Sequence, residues 1–225
     1  MERHFHEQLV ELKQVLLRMG LLVEEAIRRS MEALVARDKE KANQVLQKED
    51  EINRLEISID QKALSLLALE QPVAIDLRRI VMIIKINNDL ERMGDHAVNI
   101  AQRAIRLKDA PDPQIMEYLK KMSKAAQEMV RGALDAFIQE DTELARRVLN
   151  QDDIVDTLND DVYFKSKKFM EDNPANVELG FCFSLVAYNL ERVADLASNI
   201  AEDVIYIKQG KEVRHHADEA PDQKI

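Results

Sequence analysis

The 225-residue sequence predicts an all-α fold: two tandem three-helix bundles, related by internal duplication as a pseudo-twofold pair and elongated along their helices. Three observations predict it. Hydrophobic residues make up 46% of the chain and charged residues 33%, with five Gly, five Pro and no Trp, which is a helical composition. Alternating β-branched runs flanked by Asn-Gly or Asp-Gly turns, the mark of strands, are missing from the sequence. The third observation is a repeat: Leu90-Glu91-Arg92-Met93-Gly94-Asp95-His96-Ala97-Val98-Asn99-Ile100-Ala101 returns as Leu190-Glu191-Arg192-Val193-Ala194-Asp195-Leu196-Ala197-Ser198-Asn199-Ile200-Ala201, with eight of twelve positions identical.

Chain breakers set the elements. The first helix spans 5–37, where helical periodicity starts almost at the N-terminus and stops at Arg37-Asp38. The second spans 39–70, opened by Asp38, whose carboxylate can accept from first-turn amides, and closed by Gln71-Pro72. The third spans 73–108 and carries the first copy of the repeat. Ala110-Pro111-Asp112-Pro113 is the strongest interruption and falls at the midpoint. The fourth helix then spans 113–139, the fifth 141–171 behind Asp141, and the sixth 175–209 between Asn173-Pro174 and Gly210. The first repeat is thus expected over 1–109 and the second over 113–210, with 211–225 a polar tail. Helices of about 30 residues joined by short loops pack as antiparallel bundles at shallow crossing angles.

The duplication reaches further, since residues 38–46 match 141–149 at an offset of 103. Downstream stand Glu49, Asn53, Glu56 and Asp60, with counterparts Asp152, Asp156, Asn159 and Tyr163. Their spacing of 4, 3 and 4 puts each set on one helical stripe. In the repeat itself, Glu91, Asp95 and Asn99 lie four apart, as do Glu191, Asp195 and Asn199, so each triplet forms a column on one face. Carboxylates one turn apart repel each other. A chain that stacks them twice is expected to put a cation between them. The candidate metal ligands are Glu49, Glu91 and Asp95 in the first half, and Asp152, Asp156, Glu191 and Asp195 in the second. Such hard oxygen donors suit magnesium, calcium, manganese or iron. Cys and His are not organised to help: His96 lies on another face, and His4, His6, His215 and His216 lie near the termini. A structural zinc site is therefore not expected. The plainer reading is that both stripes are solvated or docking faces, with Glu91 and Glu191 paired to nearby arginines.

Leu77-Arg78-Arg79 has no equivalent in the second half. Its arginines either pair with Asp76 and Glu70 in a solvated first turn, or Arg78 makes a bidentate contact with a carboxylate or phosphate. No Gly-rich phosphate loop, nucleophile elbow or His–carboxylate pair occurs in the body of the chain, so catalytic residues are not expected.

A net charge of −10 argues against nucleic acid as a partner, because phosphate neutralisation needs basic patches. The single cysteine, Cys182, rules out an internal disulfide and fits a reducing compartment; in the run 181–186 it reads as a small buried hydrophobe. The N-terminus lacks the apolar core of a signal peptide, and no stretch approaches the ~20 uncharged residues of a membrane span. A cytoplasmic protein that reaches a membrane only through partners is expected.

These residues resemble a known family. His4-Phe5-His6-Glu7-Gln8-Leu9 with Leu17-Arg18-Met19-Gly20, then Gln71-Pro72-Val73-Ala74-Ile75-Asp76-Leu77-Arg78, the two Leu-Glu-Arg-x-x-Asp motifs and Gly210-Lys211-Glu212-Val213-Arg214-His215 are similar, nearly end to end, to the PhoU family of phosphate-signalling regulators. The resemblance implies two three-helix bundles. It also implies a non-enzymatic negative regulator of the phosphate-starvation response, bridging the ATP-binding subunit of a phosphate transporter and a sensor histidine kinase. It further implies a homodimer, and iron, manganese, magnesium or zinc bound through Glu91 and Asp95 and through Glu191 and Asp195. Two departures are expected to make the sites unequal: Ala194 stands where the first copy has Gly94, and Tyr163 where the first half has Asp60. The rival reading is a carboxylate-bundle metal store or metal-dependent enzyme. It is weakened because Gly94 and Ala194 occupy the places where Glu-x-x-His would put histidines.

Overall fold

The computed structural model describes residues 2–107 and 111–210, so the expected polar tail, with His215 and His216, lies outside the described residues. Among these residues there is no strand. The α-helices are α1 (Glu2–Ala36), α2 (Lys39–Glu70), α3 (Ala74–Arg106), α4 (Pro113–Gln139), α5 (Thr142–Leu149), α6 (Asp152–Asp172) and α7 (Val177–Gln209), the last entered through a 3₁₀ turn at Pro174–Asn176. None is long and apolar enough to cross a membrane.

Apolar spacing explains the helices, and side-chain caps explain their starts. Leu9, Leu12, Leu16, Met19, Val23, Ile27 and Leu34 recur on one stripe of α1, and all are buried. Asp38 accepts from Lys41 N at 3.0 Å and Asp141 from Glu143 N and Leu144 N at 2.9 and 3.1 Å, as their positions in the sequence predict. Asp112 caps α4 in the same way, with Pro113 in the first turn, where its missing N–H costs nothing.

One element departs from expectation. The helix predicted over 141–171 is in two pieces, α5 and α6, broken at Asn150-Gln151. There the backbone tightens into three-residue turns: Gln151 N donates to Val148 O at 3.0 Å and Ile154 N to Gln151 O at 3.1 Å. The register positions in the first half are Gln47 and Lys48, better helix formers than Asn, and α2 runs through them unbroken. Asp152 and Asp153 then occupy the first turn of α6, where the helix dipole favours negative charge.

In the first half α1, α2 and α3 pack together; in the second, α4 packs with α5, α6 and α7. The halves meet mainly along α3 and α7. These run antiparallel, since His96 meets Asn189 while Lys85 lies 3.9 Å from Asp203. Helices of 33 residues span about 50 Å, so this contact is long. Behind it α1 touches α4, where Gly20 permits close approach: a Cβ there would lie 2.5 Å from Leu134 Cδ1. The outcome is a layer in the order α2, α3, α7, α6, backed by α1 and α4. Its open side carries both sequence-predicted columns.

Candidate functional site

The first column assembles on α2 and α3. Burial and the neighbouring Asp95 carboxylate push Glu49 above its ordinary pKa, and burial, Asp95 and Glu56 do the same to Glu91. Glu56 thus joins the predicted set of Glu49, Glu91 and Asp95. The second column assembles on α6 and α7 from Asp152, Asp156, Glu191 and Asp195. Here the effect is larger: burial, then Asp156 and Asp195, push Asp152 up to about 6. Burial also raises Asp156, Glu191 and Asp195, with Arg192 opposing it at the last two. Each helix pair therefore gathers the carboxylates that the sequence spacing predicts, at the electrostatic cost of holding like charges together in a partly buried site.

The two columns are not equivalent. Arg192 donates to Asp195 at 2.5 Å, whereas Arg92 turns away to Asp89 at 3.8 Å and leaves Asp95 exposed. Neither arginine hydrogen-bonds Glu91 or Glu191, although the charge of each still lowers the neighbouring glutamate's pKa against the effect of burial. Within the second column, Glu191 Oε2 is buried without a hydrogen-bond partner, and the Ser198 hydroxyl is the one donor beside the buried Asp152 carboxylate among the described residues. Buried carboxylate oxygens left without donors are what a hard cation would satisfy, so the donor chemistry fits one. The side chains are nonetheless spread: no three His, Cys, Asp or Glu among the described residues converge as a ready-made metal site.

Packing under the columns differs in a compensating way. A Cβ on Gly94 would lie 3.2 Å from Ile52 Cδ1. In the second half Ala194 carries that Cβ, and Val155, one carbon smaller, stands at the register of Ile52.

Between the halves the layer opens into a cleft of about 760 Å³, with Glu56, Asp60 and Asp89 on one side and Asp152, Asp195 and Glu202 on the other. A separate groove of about 380 Å³ lies on the second half, lined by Asn159, Asp160, Tyr163, Ser184, Ala187 and Tyr188. His96 belongs to neither column. Its Nδ1–H donates to Asn189 Oδ1 at 2.9 Å, while the Asn189 amide donates to Leu185 O, and burial pushes the imidazole below its ordinary pKa.

The arginines of α3 resolve as follows. Arg79 pairs with Asp76 at 3.0 Å as expected, but its second partner is Glu140 rather than Glu70. Arg78 approaches the turn at Gly210, and its Nε is buried without a hydrogen-bond partner. Cys182 is half-buried beside Arg103, and burial raises its thiol pKa.

Known proteins share this architecture and sequence. The model of the PhoU domain matches residues 16–104 and again 119–204. A phosphate-specific transport system accessory protein PhoU homolog of Aquifex aeolicus is 40% identical over 93% of this chain and 95% of its own length. The homolog of Clostridium acetobutylicum is 36% identical over 93% and 96%. The crystal structure of PhoU from Pseudomonas aeruginosa superposes with a TM-score of 0.89 at 36% identity, covering 92% of this chain and all of the other. That of the phosphate transport system regulatory protein PhoU from Streptococcus pneumoniae gives 0.87 at 32%, covering 93% and 99%.

Proposed function

The chain belongs to the PhoU family, and from that premise we propose that it is a non-enzymatic accessory regulator of phosphate transport. It acts as an adaptor, holding the ATP-binding subunit of a phosphate transporter and a sensor histidine kinase in an inhibitory arrangement while phosphate is plentiful. It works in the cytoplasm, as a homodimer, and reaches the membrane only through these partners. The observation that carries the reading is the completeness of the likeness: both repeats match, and relatives named as phosphate-transport accessory proteins align over more than nine-tenths of the chain.

Cations belong to the same proposal. Glu49, Glu91 and Asp95 in one column, and Asp152, Asp156, Glu191 and Asp195 in the other, hold iron, manganese, magnesium or zinc. The buried, partnerless Oε2 of Glu191 supports this reading most directly. A bound cation would relieve the like-charge repulsion and change the charge that the face presents to a partner. The alternative of a metal store or oxidase has less support, since His96 is committed to Asn189.

The test uses purified components. The chain is titrated with the transporter's ATP-binding subunit, with the cytoplasmic part of the kinase, and with both together. Saturable binding to each and a ternary complex are expected. Binding to neither would overturn the adaptor reading. A strain lacking the chain should express phosphate-starvation genes in phosphate-rich medium, and the wild-type chain should restore repression.

A further inference from the structure

The internal duplication supplies its own control for what each half exposes. Tyr163, Phe164 and Tyr188 stand at the register positions of Asp60, Gln61 and Asn88. The first half is polar at all three; the second exposes 55%, 64% and 53% of these aromatic side chains to solvent. Both halves form the same bundle, so the fold does not require aromatics there. Tyr163 and Tyr188 line the α6–α7 groove from opposite helices, and Phe164 packs edge-on against Tyr163 with ring centroids 5.4 Å apart. Clustered exposed aromatics are the usual core of a protein-binding surface.

Charge narrows the partner. Asp160 lines the groove, and exposed Asp153 and Asp156 continue its stripe along α6, with no Lys or Arg from 148 to 164. A second copy of this chain that presented the same α6 face here would meet like charge. We propose that the groove between α6 and α7 docks a basic amphipathic helix of another protein, its apolar side chains against Tyr163 and Tyr188 and its Lys and Arg over Asp153 and Asp160. A trough between two antiparallel helices suits a third helix laid along it. The proposal deepens the adaptor reading by assigning one partner surface to the second half, and it rests on that reading for the existence of a partner.

The probe is a fluorescein-labelled synthetic Leu/Lys amphipathic helix, titrated against the full chain at physiological salt and read by anisotropy. Saturable binding is expected, weakened at least about tenfold in Tyr163→Ala/Tyr188→Ala. That variant should keep the wild-type circular dichroism and Tm, because both side chains are more than half exposed. Gln61→Ala/Asn88→Ala, at the first-half register positions, should bind like wild type. A Leu/Glu helix that binds as well, a tyrosine variant that binds like wild type, or no saturable binding overturns the proposal. So does sedimentation showing a wild-type dimer that the tyrosine changes dissociate, since the groove would then belong to a second copy. Failure of the adaptor reading reads out separately, as a chain that binds the peptide but neither the transporter subunit nor the kinase.

Discussion

Glu140 accepts both prongs of the Arg79 guanidinium, Nε to Oε1 at 2.8 Å and Nη2 to Oε2 at 3.0 Å, and so ties the end of α4 in one half to the start of α3 in the other. Lys13 and Lys208 add their charges at 3.4 and 3.5 Å. Glu140 adopts a left-handed backbone, φ 50°, which costs a non-glycine residue about 1 kcal/mol. The ion cluster outweighs that cost.

Arg79 above all holds the Glu140 carboxyl down to about 2, against an ordinary 4.5. Its stabilisation is therefore present above pH 4.5 and lost as pH falls towards 2. Glu140→Gln should cost about 2 kcal/mol at pH 7, or roughly 6 °C in Tm, and progressively less below pH 4. Urea unfolding of both proteins across this range is the check; a difference independent of pH would remove the ion pair as its cause.

Asp152 has the opposite sign. With its pKa raised to about 6 from 3.8, the folded state prefers the protonated acid, so stability is lost as pH rises between these values. Asp152→Asn should be more stable than wild type at pH 7.5 by about 1 kcal/mol after solvent screening, and nearly equal to it at pH 4. Thermal melts in chelator-treated buffer decide it; a variant less stable at pH 7.5 would show that the carboxylate is satisfied without a cation.

Manganese binding should be unequal between the columns. The second is more buried and holds the partnerless Oε2 of Glu191, so Asp152→Asn/Asp195→Asn should weaken Mn²⁺ binding by about tenfold more than Glu49→Gln/Asp95→Asn. Equilibrium dialysis of the full chain gives both numbers. Equal losses, or undetectable Mn²⁺ on wild type, would refute the assignment.

Gly94→Ala gains helix propensity but presses on Ile52, whereas Ile52→Val leaves a gap beside glycine. Together they recreate the Ala194/Val155 packing of the second half. A double-mutant cycle should show a favourable coupling of about 1 kcal/mol. Strict additivity would mean the two sites do not share that space.

Much of this was readable from residue order. Breakers placed most helix ends, Asp38 and Asp141 announced their caps, and the spacing of four put Glu91 over Asp95 and Glu191 over Asp195. The break at Asn150-Gln151 was not readable, because buried Val148 and Val155 keep the helical period across it and the change lies in backbone hydrogen bonds. Glu140 was missed for a related reason: its partners come from α1, α3 and α7, at separations of 61 to 127 residues. Tyr163 was visible as a departure from the repeat, but its exposure and its facing Tyr188 required the packing of α6 on α7.

The left-handed corner at Glu140 has a twin at Arg37, φ 54°, offset by the same 103 residues but of opposite charge. Duplicated halves carry a hazard, that a half will mate with its like in another molecule. First halves paired together would set Arg79 against Arg37, and second halves would set Leu179 against Glu140; only unlike halves bring Arg79 to Glu140. The inverted charge at this corner therefore favours contact between unlike halves over contact between like ones.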